Sequence, residues 1–235
     1  VLQADYQPQL LSTLDEKLLL LSKTRIDNSF VLHFDASLAS LSAHDFMQEV
    51  LCKQLNVKKL IIGYDNRFGH NRSETFEHYV QYGKELGVEV IRADAFLPDD
   101  EKVSSSVIRN YLREGKIEVA NRLLGYNYTI ESRIVNGYQN GRKMGFPTAN
   151  LDVSGCQQLL PASGVYAVMV RLKDSVEWKR GMMNVGQRPT FNGTTTSVEV
   201  NLFNFTGNLY GQELFVSFVS KIRDEHTFES LEALA

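Results

Sequence analysis

The chain is poor in the residues that mark several protein classes. Two cysteines, five histidines, five prolines and one tryptophan occur in 235 residues. Cys52 and Cys156 stand far apart without a C-x-x-C companion, which speaks against a disulfide framework or a zinc site and for inert thiols in a reducing, cytoplasmic setting. The histidines fit no metal spacing, and neither an H-E-x-x-H pair nor a nucleophile elbow occurs. No apolar run approaches the roughly 18 residues of a membrane helix. The opening VLQADYQPQL has no basic patch ahead of an apolar core, so it does not read as a secretory signal. The net charge of −3 and pI near 6.0 lack the basic surplus of nucleic-acid binders, whose partners are polyphosphates. What is present is ordinary: 43% hydrophobic and 23% charged residues, a soluble globular composition long enough for one large or two small domains.

Two grammars divide the chain near Gly125. Up to that point short apolar runs alternate with helical spacing. SFVLHF (Ser29 to Phe34) reads as a buried strand, and SAHDFMQEVLCKQL as a helix capped by Ser42, with Phe46, Val50, Leu51 and Leu55 on one face. KKLIIGYD and GVEVIRADAF read as two more strands, separated by a helix within Arg72 to Leu86. VSSSVIRNYLREGKIEVANRLLG closes the half as one or two helices. This order predicts a parallel, Rossmann-like sheet with ligands beyond the strands' carboxyl ends, after Ile62 and after Phe96. From residue 126 onward, TIESRIVNG, GVYAVMVRL, KRGMMNVG, TSVEVNLFNF and QELFVSFVSKI are strand-like, joined by glycine- and asparagine-rich turns. Five or six such strands predict a closed antiparallel barrel, which removes exposed edges.

Several segments carry possible chemistry. If Pro147 opens a strand in GFPTAN, Thr148 and Asn150 share one face, and a hydroxyl beside an amide carbonyl suits Mg²⁺. Gly137, Gly141 and Gly145, with Arg142, would let backbone amides and a positive charge approach phosphate. The same residues equally suit a glycine-rich hairpin leading into a polar strand. In TSVEVNLF, Glu199 alternates with Val198, Val200 and Leu202, so it is either a general base on the opposite face or part of a solvated sheet surface. NVGQRPTFNG, from Asn184, is turn chemistry or a loop shaping a pocket. GYDNRFGHNR follows an apolar strand and suits a nucleotide-contacting loop. In VSSSVIR, Ser104 to Ser106 open a helix with Arg109 in its first turn, which fits an anion or a plain serine cap.

Taken together and in order, these motifs resemble one family, the bacterial bifunctional riboflavin kinase/FMN adenylyltransferases, or FAD synthetases. GYDNRFG is similar to that family's G-x-D-x-x-F-G loop, and VSSSVIR to its I-S-S-T-x-I-R motif. LGYNYTIESRIVNGYQNGRKMGFPTANL, NVGQRPTFNG, SVEVNLFNFTGNLYG and IRDEHTFESLEAL follow its kinase module in order. The resemblance implies a nucleotidyltransferase α/β domain over residues 1–125 and a six-stranded riboflavin-kinase barrel over 126–235. It implies Thr148 and Asn150 as ligands of the Mg²⁺ of ATP, with Pro147 and the glycine-rich segment around Gly141 at the phosphates. Glu199 is implied as the base for the 5′-hydroxyl of riboflavin, with Arg223 and Phe228 near the flavin. Asp65, Phe68, Ser104, Ser105 and Arg109 are implied for the FMN-to-FAD step. Small molecules are the implied partners: riboflavin, FMN, FAD and ATP, without nucleic acid or membrane.

The chain departs from the pattern at its start, where the family's H-x-G-H motif has no counterpart beyond RFGH at Arg67 to His70. On that reading the first βα unit is missing, FAD synthesis is expected to be weak or absent, and kinase activity is expected to persist. FESLEALA reads as a helix cut short. Ser106, Val107 and Asn201 differ from common family residues without removing an assigned group. Two other classes stay open: a non-catalytic flavin- or nucleotide-binding module of the same fold, and a nucleic-acid-binding barrel, against which the acidic balance speaks.

Overall fold

A computed structural model describes residues 9–95, 103–135, 148–190, 193–205, 207 and 209–226. The chain divides into two compact units, Val1–Tyr6 with Ile26–Glu101 and Gln7–Arg25 with Lys102–Ala235. Helix α1 (Leu14–Ser22) opens the second unit. The first contains α2 (Ala36–Ser40), α3 (Ala43–Asp45), a π-helix (Phe46–Gln54), β1 (Lys59–Ile62), α4 (Phe76–Leu86) and β2 (Glu89–Arg92).

Short polar side chains start the helices of the first unit. The Asp35 carboxylate accepts from the Leu38 N–H at 2.8 Å, and the Ser42 hydroxyl from the Asp45 N–H at 3.1 Å. The helix expected over Ser42 to Leu55 is α3 running into the π-helix. Its wider i→i+5 turns bury Met47 and Val50 and leave Phe46, Leu51 and Leu55 only half-buried. Strands β1 and β2 are parallel, with Lys59 opposite Glu89 and Ile62 opposite Arg92. Helix α4 crosses β2 at Gly83, where a Cβ would lie 2.5 Å from the Val88 carbonyl, so only glycine allows that approach.

SFVLHF does not form the strand its composition predicts. Residues 29–34 belong to no strand of the two-stranded sheet, and Phe30 and Val31 are 69% and 56% exposed. Strand propensity is satisfied only by a neighbouring edge and a covering layer, and this segment has neither among the described residues.

The second unit adds α5 (Ser105–Arg113), α6 (Ile117–Leu124), β3 (Thr129–Val135), β4 (Ala149–Leu151), β5 (Gly164–Leu172), β6 (Lys179–Thr190), β7 (Gly193–Leu202) and β8 (Glu213–Arg223). The six strands close an antiparallel barrel in the order β3-β4-β7-β6-β5-β8. Alternation drives it: Tyr166, Val168 and Val170 of β5, Met183 and Val185 of β6, and Val198 and Val200 of β7 are buried in one core. Ile108 and Leu112 of α5 and Ile117 and Ala120 of α6 join that core. These two helices therefore pack with the barrel, although their sequence reads as the end of the α/β half. Tyr128 seals the junction, its hydroxyl donating to the Leu159 carbonyl at 2.6 Å. The segment before α1 is tied to the same unit: the Leu10 N–H donates to Gln157 O at 2.8 Å, and the Leu159 N–H to Leu10 O at 2.9 Å. Among the described residues no helix is long and apolar enough to cross a membrane.

Candidate active sites

On the barrel, cross-strand register assembles the first site. Asn150 of β4 faces Glu199 of β7, Glu199 faces Asn184 of β6, Asn184 faces Val165 of β5, and Val165 faces Arg223 of β8. Directly opposed residues share a sheet face, so these five form one row across five strands. Val198, Val200 and Leu202 point into the core, which puts Glu199 and its row on the outer face of the barrel. Asn150, Asn184 and Glu199 are half-buried there.

The Thr148 hydroxyl donates to Glu199 Oε2 at 3.0 Å. That bond fixes the carboxylate and leaves the lone pairs of the threonine oxygen directed elsewhere. A hydroxyl, an amide carbonyl and a carboxylate gathered on one strip are hard oxygen donors, the set Mg²⁺ takes together with water and phosphate oxygens. The residues present fit that ion. Arg223 ends the row on β8, exposed, with Nη1 donating to the Asp224 carbonyl at 3.1 Å. Gly137, Gly141, Arg142, Gly145, Pro147 and Phe228 lie outside the described residues.

A second candidate site follows the carboxyl end of β1, where the strand-end rule places it. Gly63 to Arg67, Thr75, Phe76, Glu77 and Arg92 line a cavity of about 360 Å³. Arg92 donates from Nε and Nη2 to the Tyr64 carbonyl at 3.2 and 2.8 Å and lies 5.3 Å over the Phe76 ring. Asp65 is exposed at its lip. Phe68 is not among the lining residues. Its ring stacks on Tyr79 at 4.4 Å and meets Phe46 edge-on at 5.7 Å, while its N–H donates to the Tyr79 hydroxyl at 3.1 Å. Phe68 thus anchors the loop from below.

Ser104, Ser105 and Arg109 belong to the other unit. Ser104 caps α5, accepting from the Val107 N–H at 3.3 Å, and Ser105 is exposed in the first turn. Arg109 donates from Nε to the Gln9 carbonyl at 2.7 Å.

Two residues of these sites, Asn184 and Arg92, are not singled out by the sequence alone. Asn184 lies where the strand-like KRGMMNVG overlaps NVGQRPTFNG, which equally suits a turn or a pocket-shaping loop, and β6 runs straight through it. Arg92 precedes the site expected just after Phe96, which lies outside the described residues. The available signal was the apolar–polar alternation through GMMNVG, which continues a strand rather than ending it.

Comparisons with known proteins cover nearly the whole chain. A riboflavin kinase family model matches residues 124–235, and an FAD synthetase model matches 1–107. The bifunctional riboflavin kinase/FMN adenylyltransferase of Haemophilus influenzae is 40% identical over 227 residues, spanning 97% of this chain and 73% of that protein. Its Escherichia coli K12 counterpart is 36% identical over 230 residues, spanning 98% of this chain and 72% of that protein. A crystal structure from Streptococcus pneumoniae, described as a macrolide-efflux protein, superposes with a TM-score of 0.86 at 31% identity, covering 99% of this chain and 75% of the other.

Proposed function

The chain belongs to the bifunctional riboflavin kinase/FMN adenylyltransferase family, and from that premise we propose how its residues divide the work. Both modules are present: the family's reactions are ATP-dependent phosphorylation of riboflavin to FMN and adenylylation of FMN to FAD. We assign the first to residues 126–235 and the second to residues 1–125. The two unpaired cysteines support a cytoplasmic enzyme.

In the kinase step, Glu199 takes the proton of the ribityl 5′-hydroxyl as that oxygen attacks the γ-phosphorus of ATP. The bond from phosphorus to the ADP oxygen breaks in line, and FMN and ADP result. Thr148 and Asn150 would hold Mg²⁺, which supplies charge neutralisation at the phosphates. Backbone amides and Arg142 of the glycine-rich segment, from Gly137 through Gly141 and Gly145 to Pro147, cover the triphosphate. Arg223 and Phe228 serve the flavin end. Phosphoryl transfer asks mainly for positioning and charge stabilisation. A row of cross-strand partners supplies the positioning.

In the second step a phosphate oxygen of FMN attacks the α-phosphorus of ATP and pyrophosphate leaves. Asp65 serves this step at the lip of the loop cavity and Phe68 as the loop's anchor. Ser104, Ser105 and Arg109 serve it at the phosphates.

The observation that carries the kinase reading is the junction of Asn150 and Glu199 on two neighbouring strands with Thr148, which directly precedes β4. Incubation with riboflavin, ATP and Mg²⁺, followed by chromatography, tests it: FMN is the expected product. Its absence with all three present overturns the assignment, and an FAD peak in the same run reports on the second module.

A further inference from the structure

On the side of Glu199 away from Thr148 and Asn150, the barrel surface carries a second group of polar atoms. Asn184 sits one strand over from Glu199, about 4.8 Å away in the pairing direction. Two residues further on and on the same face, Gly186 has no side chain, and the space this leaves is in use. A Cβ at Gly186 would lie 2.2 Å from Glu225 Oε1 and 3.2 Å from Asn184 Nδ2. An amide and a carboxylate thus converge over a bare strand segment. We infer that Asn184, Gly186 and Glu225 form a polyol subsite that reads the ribityl hydroxyls beside the one phosphorylated, making Asn184 and Glu225 determinants of acceptor specificity.

The inference rests on the kinase reading above and adds a direction to it. In-line transfer puts the attacking and leaving oxygens on opposite sides of phosphorus. The base must touch the attacking oxygen, and the proposed metal ligands hold the triphosphate on the β4 side of Glu199. The remainder of the acceptor chain therefore trails toward β6, over Asn184. An alcohol both donates and accepts, and so does a primary amide, while a carboxylate accepts. Together they match a hydroxyl-bearing chain better than an apolar or anionic one. Gly186 matters because any side chain there would occupy the space where the two groups meet.

Riboflavin and its 4′-deoxy analogue, as acceptors with saturating MgATP, provide the test. The wild-type protein is expected to favour riboflavin in kcat/KM by about tenfold, the worth of one well-made hydrogen bond. N184A is expected to lose about that factor through KM for riboflavin, keep its KM for ATP, and no longer distinguish the two acceptors. E225A, a change at an exposed position, is expected to reduce the preference in the same direction. A generally damaged fold would lower both acceptors alike and leave their ratio intact. If wild type phosphorylates riboflavin and both variants keep its full preference, the subsite is wrong and the kinase reading stands. If wild type phosphorylates neither acceptor, the kinase reading fails and takes the subsite with it.

Discussion

In the barrel, Asn150, Glu199 and Asn184 are held one strand apart by backbone ladders on three adjacent strands. In the α/β unit, the loop after β1 is held by side chains: Arg92 on the Tyr64 carbonyl, and Tyr79 stacked on and bonded to Phe68. The cores differ in the same way. The barrel and its two helices bury one continuous apolar cluster, whereas the described core of the α/β unit centres on Ala43, Ile62 and Tyr79. A ladder positions a side chain through many cooperative bonds, so one substitution barely moves it. A loop pinned by a few side chains loses its geometry when one of them changes.

The sharpest test of this contrast is E199Q, which keeps the shape of the ladder position and removes the proposed base. Turnover of riboflavin phosphorylation is expected to fall about 10²- to 10⁴-fold, with both KM values nearly unchanged, in steady-state kinetics. T148A comes next. It deletes one proposed metal ligand and the hydrogen bond that orients Glu199. The Mg²⁺ concentration giving half-maximal rate is expected to rise about tenfold, a titration that normal magnesium dependence would contradict.

Y79F probes the other region. It removes the hydroxyl that accepts from the Phe68 N–H and leaves the stacked ring in place. A loss of about 1 kcal/mol is expected, read as faster hydrogen exchange across residues 63–70, with riboflavin phosphorylation unaffected. An equal loss of kinase activity would break the contrast between the two units.

The smallest effect concerns Glu16, which accepts from Gln158 Nε2 at 3.0 Å where the first helix lies on the barrel unit. Burial pushes its carboxyl up to about 7, and the nearby Glu131 adds to the rise. The folded protein thus keeps a proton that the unfolded chain releases near the ordinary glutamate value. The contribution of Glu16 to stability is fully present below about pH 4.5 and is lost as pH rises through about 7. E16Q cannot ionise, so the difference in Tm between pH 5 and pH 8 is expected to shrink by about 2–4 °C in thermal unfolding.

Much of this was legible residue by residue. Alternation through TSVEVNLF placed Glu199 opposite the buried valines, and the Ser42 and Ser104 caps sit where helix-start chemistry put them. SFVLHF misled because propensity describes a residue's fit to a pleated surface, not whether a neighbouring strand is there to provide one. Helices α5 and α6 misled because local periodicity identifies an apolar face without saying which core receives it. Asn184 stayed hidden for a related reason: KRGMMNVG reads as a strand, but only its pairing with β5 and β7 sets Asn184 beside Glu199.

The amino-acid order by itself determined which residues turn inward, where helices begin, and that hydroxyl, amide and carboxylate groups recur on the polar face of barrel strands. Only tertiary structure decided that β4 lies beside β7, bringing Thr148 to Glu199 across 51 positions of chain. Side-chain alternation has a range of two residues. Strand order in a closed sheet is set by which edges remain to be paired once every other strand has found its neighbour.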